Sequence, residues 1–78
     1  MPTILRVRGL RFFFYMQEGR EPAHIHVDSG DGEAKFWLTP IALAFNKGYA
    51  DHELRRIESV IAEHVEELLS GWNTVHNR

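Results

Sequence analysis

Residues 21–38 read EPAHIHVDSGDGEAKFWL, and two stretches of this segment, in which apolar residues alternate with other side chains, predict a β-hairpin. Asp31-Gly32 is a dipeptide that a two-residue type I′ turn prefers, because both central residues of that turn need positive φ. A four-residue loop over 29–32 keeps the same faces but sets two acids, Asp28 and Glu33, opposite each other. We therefore prefer the tight turn, in which every cross-strand pair matches in character: Val27 with Phe36, Ile25 with Leu38, Asp28 with Lys35, and His26 with Trp37.

A second hairpin is predicted at residues 4–16, which read ILRVRGLRFFFYM. Arg8-Gly9 is the predicted turn, because glycine accepts positive φ without steric cost. This hairpin signal is the weaker of the two, because one cross-strand pair opposes like charges unless an anion or a carboxylate lies nearby. The predicted pairs are Val7 with Leu10, Leu5 with Phe12, and Arg6 with Arg11.

Two helices are predicted after the strands. Residues 39–48 read TPIALAFNKG, with Thr39 as N-cap, Pro40 at the first helical position and Gly48 at the exit. Asp51 can then cap a long amphipathic helix over 51–72. Its apolar stripe has helical spacing and is formed by Leu54, Ile57, Ile61, Val65, Leu68 and Trp72.

These elements predict an α+β fold in which one antiparallel sheet of about four strands carries both helices on one face. Residues 1–78 would form a single domain, with the two β-hairpins in 3–38, the short helix at 39–48 and the long helix at 51–72. A chain of 78 residues buries only about 60% of its unfolded surface, so the helix stripe is needed for the core.

The sheet face opposite the helices is the predicted functional surface. His24 and His26 project from it together, because alternate residues of a strand share a face. Basic and aromatic side chains accompany them, and the predicted binding residues are Arg6, Arg11, Phe13, Tyr15, His24, His26, Lys35 and Trp37.

Composition narrows the classes of protein that fit. The net charge of −2 argues against a general polyanion binder, but residues 1–20 carry +3 and residues 49–78 carry −3. The chain has no cysteine, which excludes disulfides and thiolate metal sites. No apolar run approaches the roughly 18 residues of a membrane span, and no signal peptide is recognised. We expect a cytoplasmic protein without a membrane partner.

Three motifs occur in one order along the chain: GLRFFFYMQEG at 9–19, EPAHIHV at 21–27 and GEAKFWL at 32–38. With the helical segment 53–73, they resemble the small bacterial domain-of-unknown-function family 4160. Members of that family usually have two prolines before the first histidine, where this chain has Pro22-Ala23. The resemblance implies a bacterial origin and, often, a gene beside another small domain of unknown function, an arrangement that suggests a toxin–antitoxin pair. It brings no activity with it.

Nucleic acid is the preferred ligand of the predicted surface. Bases stack on exposed rings while cations contact phosphates, and each stacked base contributes about 1–3 kcal/mol. His24 and His26 are the candidate catalytic residues of a ribonuclease, because an imidazole exchanges protons near neutral pH. Whether the chain is an enzyme is left open by the sequence.

Two alternatives use the same surface. The exposed rings would form an apolar patch that a homodimer or a co-encoded small protein could cover, which makes the chain a protein-interaction module. His24 and His26 could instead hold a metal ion with Asp28 as a third ligand, although three positions on one straight strand rarely converge. We predict no cofactor.

Overall fold

The computed structural model describes residues 3–15 and 20–76, which form one antiparallel sheet and two helices. The predicted α+β fold is confirmed, with five strands where about four were expected. Residues 16–19 of the predicted hairpin region lie outside the described residues. The elements in chain order are β1 (Thr3–Val7), β2 (Leu10–Phe13), β3 (His24–Asp28), β4 (Glu33–Leu38), β5 (Ile41–Lys47), α1 (Asp51–Glu63) and α2 (Val65–His76).

The sheet is a meander in which every strand pairs with its neighbours in sequence, so β3 is central and β1 and β5 are the edges. The register predicted for the first hairpin is confirmed, with Arg6 opposite Arg11 and Val7 opposite Leu10. Its turn has positive φ at both central residues, 53° at Arg8 and 82° at Gly9, as a type I′ turn requires.

The register preferred for the second hairpin is wrong, and the four-residue loop is the correct alternative. Asp28 lies opposite Glu33, so His26 faces Lys35 and His24 faces Trp37. The two acids are tolerated because each has a cation on its other neighbouring strand. Asp28 lies opposite Arg11 of β2, and Glu33 lies opposite Lys47 of β5.

The short helix predicted over 39–48 is also wrong, because Ile41–Lys47 forms β5. Ile41, Ala44 and Phe45 have the spacing of one face of a short helix, whereas Ile41 and Leu43 have the two-residue spacing of a strand and share a face of β5. The outer edge of β4 offers unpaired backbone groups, and β5 satisfies them by antiparallel pairing. A shift of register between Lys35 and Phe36 adds one residue to the β5 side of this pair.

The long helix predicted over 51–72 is divided into two. Its first half begins after Ala50, whose N–H donates to the Glu53 carboxylate at 2.9 Å. α1 ends at Glu63, and the C-cap residue His64 has φ −122° and ψ 17° and donates its N–H to the Ile61 carbonyl at 3.1 Å. α2 then continues to His76, beyond the predicted end.

The core lies between the helices and one face of the sheet. α2 lies directly against β1 and the end of β2, as the surroundings of Gly71 show. If Gly71 carried a Cβ atom, that atom would lie 3.2 Å from the Ile4 side chain and 3.3 Å from the Phe14 side chain. Full burial of such side chains contributes about 1.5–3 kcal/mol each. The buried residues on the sheet side are Phe12, Ile25, Val27, Ala34, Phe36 and Leu38, with Phe14 directly after β2, and the buried helix residues are Ile57, Val60, Ile61, Leu68 and Trp72. In the described part of the chain, neither helix has the length and apolarity to cross a membrane.

Candidate functional site

The sheet face opposite the helices, which we name the open face, consists of transverse rows of side chains. Residues paired across antiparallel strands share a face, so each row can be followed from strand to strand. A charged row crosses all five strands as Arg6, Arg11, Asp28, Glu33 and Lys47. A neighbouring row crosses four strands as Phe13, His26, Lys35 and Phe45. The structure therefore brings most of the predicted binding residues together.

Arg11 is held in the charged row by contacts that include Asp28 and Phe13. Its guanidinium nitrogen lies 3.3 Å from the Asp28 carboxylate, and its guanidinium carbon lies 4.5 Å from the centre of the Phe13 ring. Phe13 is only 2% exposed. A nucleobase could stack on this ring only by displacing the guanidinium from it.

Lys35 has the same arrangement on the other side of β3. Its Nζ lies 2.6 Å from the Glu21 carboxylate and 4.7 Å from the centre of the Trp37 ring. Two of the three cations that were predicted to contact phosphate, Arg11 and Lys35, are thus paired with carboxylates, whereas Arg6 is exposed. A phosphate group would have to compete with Asp28 for Arg11 and with Glu21 for Lys35.

His26 lies on the open face, as predicted, but it is packed between aromatic rings. Its imidazole stacks on Phe13 at 5.4 Å between ring centres and meets the edge of Tyr15 at 4.6 Å. These contacts leave the residue 8% exposed. Tyr15, at 37% exposed, is the accessible ring of this group.

His24 does not lie on an accessible surface, which corrects the sequence-based expectation. It is 0% exposed, and its ring lies 4.7 Å from the Trp72 ring of α2 and 5.7 Å from Trp37. Strand alternation places His24 on the open face, but α2 brings Trp72 against it at the end of the sheet. Nδ1 donates to the Pro22 carbonyl at 2.9 Å, because a carbonyl oxygen can only accept.

The metal-site alternative gains no support from this geometry. The rings of His24 and His26 are 5.2 Å apart, but Asp28 is the ion-pair partner of Arg11. Within residues 3–15 and 20–76, no group of three histidine, cysteine, aspartate or glutamate side chains is placed to hold a metal ion.

A hydrogen bond between the hydroxyls of buried Tyr49 and half-buried Ser29 ties the β3–β4 loop to the segment between β5 and α1. Tyr49 is 7% exposed, and its hydroxyl lies 2.8 Å from the Ser29 hydroxyl. Burial raises the pKa of Tyr49, although the hydrogen bond with Ser29 opposes the shift. The same loop and segment contact each other through their backbones. A Cβ at Gly48 would lie 2.9 Å from the Asp31 carbonyl oxygen.

The outer edge of β5 is a feature that the sequence analysis missed. Phe45 lies on the open face because it pairs with Lys35, whereas Leu43 lies on the helix-bearing face because it pairs with Phe36. They are 49% and 46% exposed, and with Tyr15 they are the exposed large hydrophobic side chains of the described residues. Assigning 39–48 to a helix placed both side chains in the core.

A shallow cleft lies at the end of β5 where Lys47 stands. Its volume is about 450 Å³. Its charged lining consists of three carboxylates and one ammonium group, from Asp28, Asp31, Glu33 and Lys47, and glycines form the rest. This acidic cleft and the β5 edge are contiguous because Lys47 belongs to both.

Comparison with known proteins supports the resemblance seen in the sequence. A family model described as Domain of unknown function (DUF4160) matches residues 9–73, which is most of the chain. No curated protein and no solved structure shows a significant match.

Proposed function

This chain belongs to the family described as Domain of unknown function (DUF4160), and we propose that it is a protein-interaction domain that binds an extended segment of a partner along the edge of β5. One observation carries the proposal. Leu43 and Phe45 are both about half exposed, and they lie on opposite faces of the sheet at the same edge.

The positions of these two side chains distinguish edge binding from face binding. A partner that docks flat on the open face could cover Phe45 but would leave Leu43 in water. A strand added beside β5 would instead place side chains next to both, because its own residues alternate between the two faces. Its backbone would also pair with the outward N–H and C=O groups of the edge.

The character of β5 supports the same conclusion. Proteins protect edge strands with charged residues, proline, β-bulges or short length. β5 has seven residues, and its first six, IALAFN, carry no charge and no proline. Five consecutive residues, 43–47, are exposed. Its single irregularity in pairing with β4 leaves the strand continuous to Lys47.

Nucleic-acid binding is less well supported by the geometry. Arg11 and Lys35 are paired with carboxylates and lie over the Phe13 and Trp37 rings. A bound strand of RNA would have to break these ion pairs and displace the cations from the rings. The charged row also contains both signs, so its field does not favour a polyanion. A role in a toxin–antitoxin pair and a cytoplasmic location stay predictions from the sequence.

Selection from a displayed library of random linear peptides tests the proposed function. Peptides enriched on the wild-type protein should bind Leu43→Ser plus Phe45→Ser at least about tenfold more weakly, because each lost apolar contact contributes roughly 1 kcal/mol. The matched control is Tyr15→Ser, which removes an exposed ring away from β5. Circular dichroism checks that both variants fold.

Two outcomes would overturn the proposal. One is a selection that yields no peptide with measurable affinity. The other is a set of peptides that bind the double variant as tightly as the wild type, because binding would then use another surface. Loss of binding in Tyr15→Ser alone would point to the open face instead of the edge.

A further inference from the structure

The outer edge of β5 is complementary to itself. We propose that its partner is a second copy of this chain, and that the β5 strands of the two copies pair antiparallel about a twofold axis at Leu43. The two five-stranded sheets would then form one continuous sheet. This inference rests on the proposed function, because it names the partner that occupies the same edge.

The irregular pairing of β5 decides which of its side chains can meet in such a dimer. A twofold axis that joins two antiparallel edge strands is perpendicular to the sheet, so equivalent faces of the two copies lie on the same side. Only side chains of the same face can therefore stand directly opposite each other. Leu43 and Phe45 would share a face of a regular strand, but the extra residue between them puts them on opposite faces. In order along the strand, the helix-bearing face has Ile41, Leu43 and Asn46, and the open face has Ala42, Phe45 and Lys47.

With the axis at Leu43, the opposite side chains match in polarity and size. On the helix-bearing face, Leu43 lies opposite Leu43 of the second copy, so two side chains that are each 46% exposed cover one another. On the open face, Phe45 lies opposite Ala42 of the second copy, which sets a large side chain beside a small one. Asn46 lies opposite Ile41 of the second copy, and the Asn46 amide is already bonded to the backbone of the following loop at 3.0 and 3.1 Å. Residues 41–46 carry no charge, so none of these pairs buries one.

The charged end of β5 favours this axis over its nearest alternative. An axis at Phe45 would set Lys47 opposite Ala42 and Asn46 opposite Leu43, so that each apolar residue would meet a charged or polar side chain. With the axis at Leu43, Lys47 lies beyond the paired segment 41–46 and keeps its contact with water.

The helix-bearing face has room for the second copy. α1 contacts β5, but Leu43 is 46% exposed on that face, so α1 does not cover the outer edge. Each copy would keep its helices over its own sheet. A seven-residue edge buries less than the roughly 800 Å² per partner of a standard interface, so we expect a dimer that dissociates on dilution.

Cysteine cross-linking tests the axis, because the chain has no cysteine of its own. Leu43→Cys would place two thiols directly opposite each other, with Cβ atoms near the separation that a disulfide needs. Under mild oxidation at about 100 μM protein, we expect Leu43→Cys to form a disulfide-linked dimer at least about tenfold faster than Phe45→Cys, whose thiols would lie two residues apart along the strands. Tyr15→Cys is the matched control, since it is exposed but lies away from β5.

Sedimentation velocity tests the dimer without a cross-link. The wild type should show a growing dimer fraction as its concentration rises to about 100 μM and beyond. Leu43→Ser plus Phe45→Ser should stay monomeric over the same range, whereas Tyr15→Ser should dimerise like the wild type. Circular dichroism checks that the variants fold.

The outcomes separate this inference from the proposed function. A wild type that is still monomeric at about 1 mM would overturn the second copy, and edge binding would stand if library peptides bind. A dimer that persists in Leu43→Ser plus Phe45→Ser would show that the copies use another surface. Faster cross-linking of Phe45→Cys than of Leu43→Cys would overturn the axis at Leu43. Peptide selection at nanomolar protein, where so small an interface is dissociated, tests the proposed function separately.

Discussion

Gly48→Ala should destabilise the protein strongly, because two separate costs combine at this residue. Gly48 has φ +100°, in the left-handed region where a side chain costs about 1–2 kcal/mol. An added Cβ would lie 2.9 Å from the Asp31 carbonyl oxygen and 3.2 Å from the Gly32 Cα, both of which are backbone atoms. Overpacking of this kind costs about 1–3 kcal/mol. We expect a total loss of about 2–5 kcal/mol, from a domain whose whole stability is roughly 4–12 kcal/mol.

Alanine substitutions at two other glycines measure the conformational cost and the steric cost separately. Gly30 has φ +88°, and an added Cβ would meet nothing within 4 Å, so Gly30→Ala should show the conformational cost alone. Gly32 has no positive φ, but its Cβ would lie 2.8 Å from the Lys47 carbonyl oxygen, so Gly32→Ala should show the steric cost alone. The effect of Gly48→Ala should approach the sum of the two.

Urea unfolding followed by tryptophan fluorescence measures these differences, because Trp72 is buried in the folded protein and becomes exposed to water on unfolding. A Gly48→Ala variant that loses no more stability than Gly30→Ala would refute the argument. The loop at 29–32 would then not be in close contact with the end of β5. The acidic cleft, which this contact shapes, would lose its structural basis.

Two further predictions concern buried groups. Stability should fall as the pH rises above 10.0, because burial raises the pKa of Tyr49 in the folded protein and the unfolded chain ionises first. Tyr49→Phe should make stability depend less on pH between about pH 9 and 11, as measured by urea unfolding. At neutral pH the variant should be about 1 kcal/mol less stable, because it loses the hydrogen bond with Ser29. An unchanged dependence of stability on pH would contradict the raised pKa of Tyr49. Carbethoxylation followed by peptide mapping should modify exposed His52 at least about tenfold faster than buried His24. Trp72→Ala should remove this protection, and equal rates in the wild type would show that α2 does not cover His24.

The two hairpins show which turns and strand registers can be predicted from neighbouring residues alone. The turn at Arg8-Gly9 and its register follow from the residues beside them, and both predictions are correct. In the second hairpin the sequence pattern was compatible with two strand registers, and matching of charges between the two strands favoured the wrong register. Asp28 faces Glu33 because Arg11 lies on its other side. A third strand therefore decided a choice that two strands alone could not.

Some features of the candidate site could likewise be predicted from the sequence, and others could not. Strand alternation correctly grouped Phe13, His26 and Lys35 on one face. It could not show that Trp72 would cover His24, because that contact depends on where α2 lies against the end of the sheet. It also could not show the edge of β5, since some apolar residues of that segment have helical spacing and others have strand spacing.

The sequence by itself determined the α+β class, the first hairpin and the amphipathic character of the C-terminal segment, because turn chemistry and hydrophobic period act over a few neighbouring residues. Tertiary structure decided the second register, the conversion of 39–48 into β5 and the burial of His24. Each of these depends on a partner distant in sequence, which supplies a charge, a backbone hydrogen bond or a covering ring that no local pattern contains.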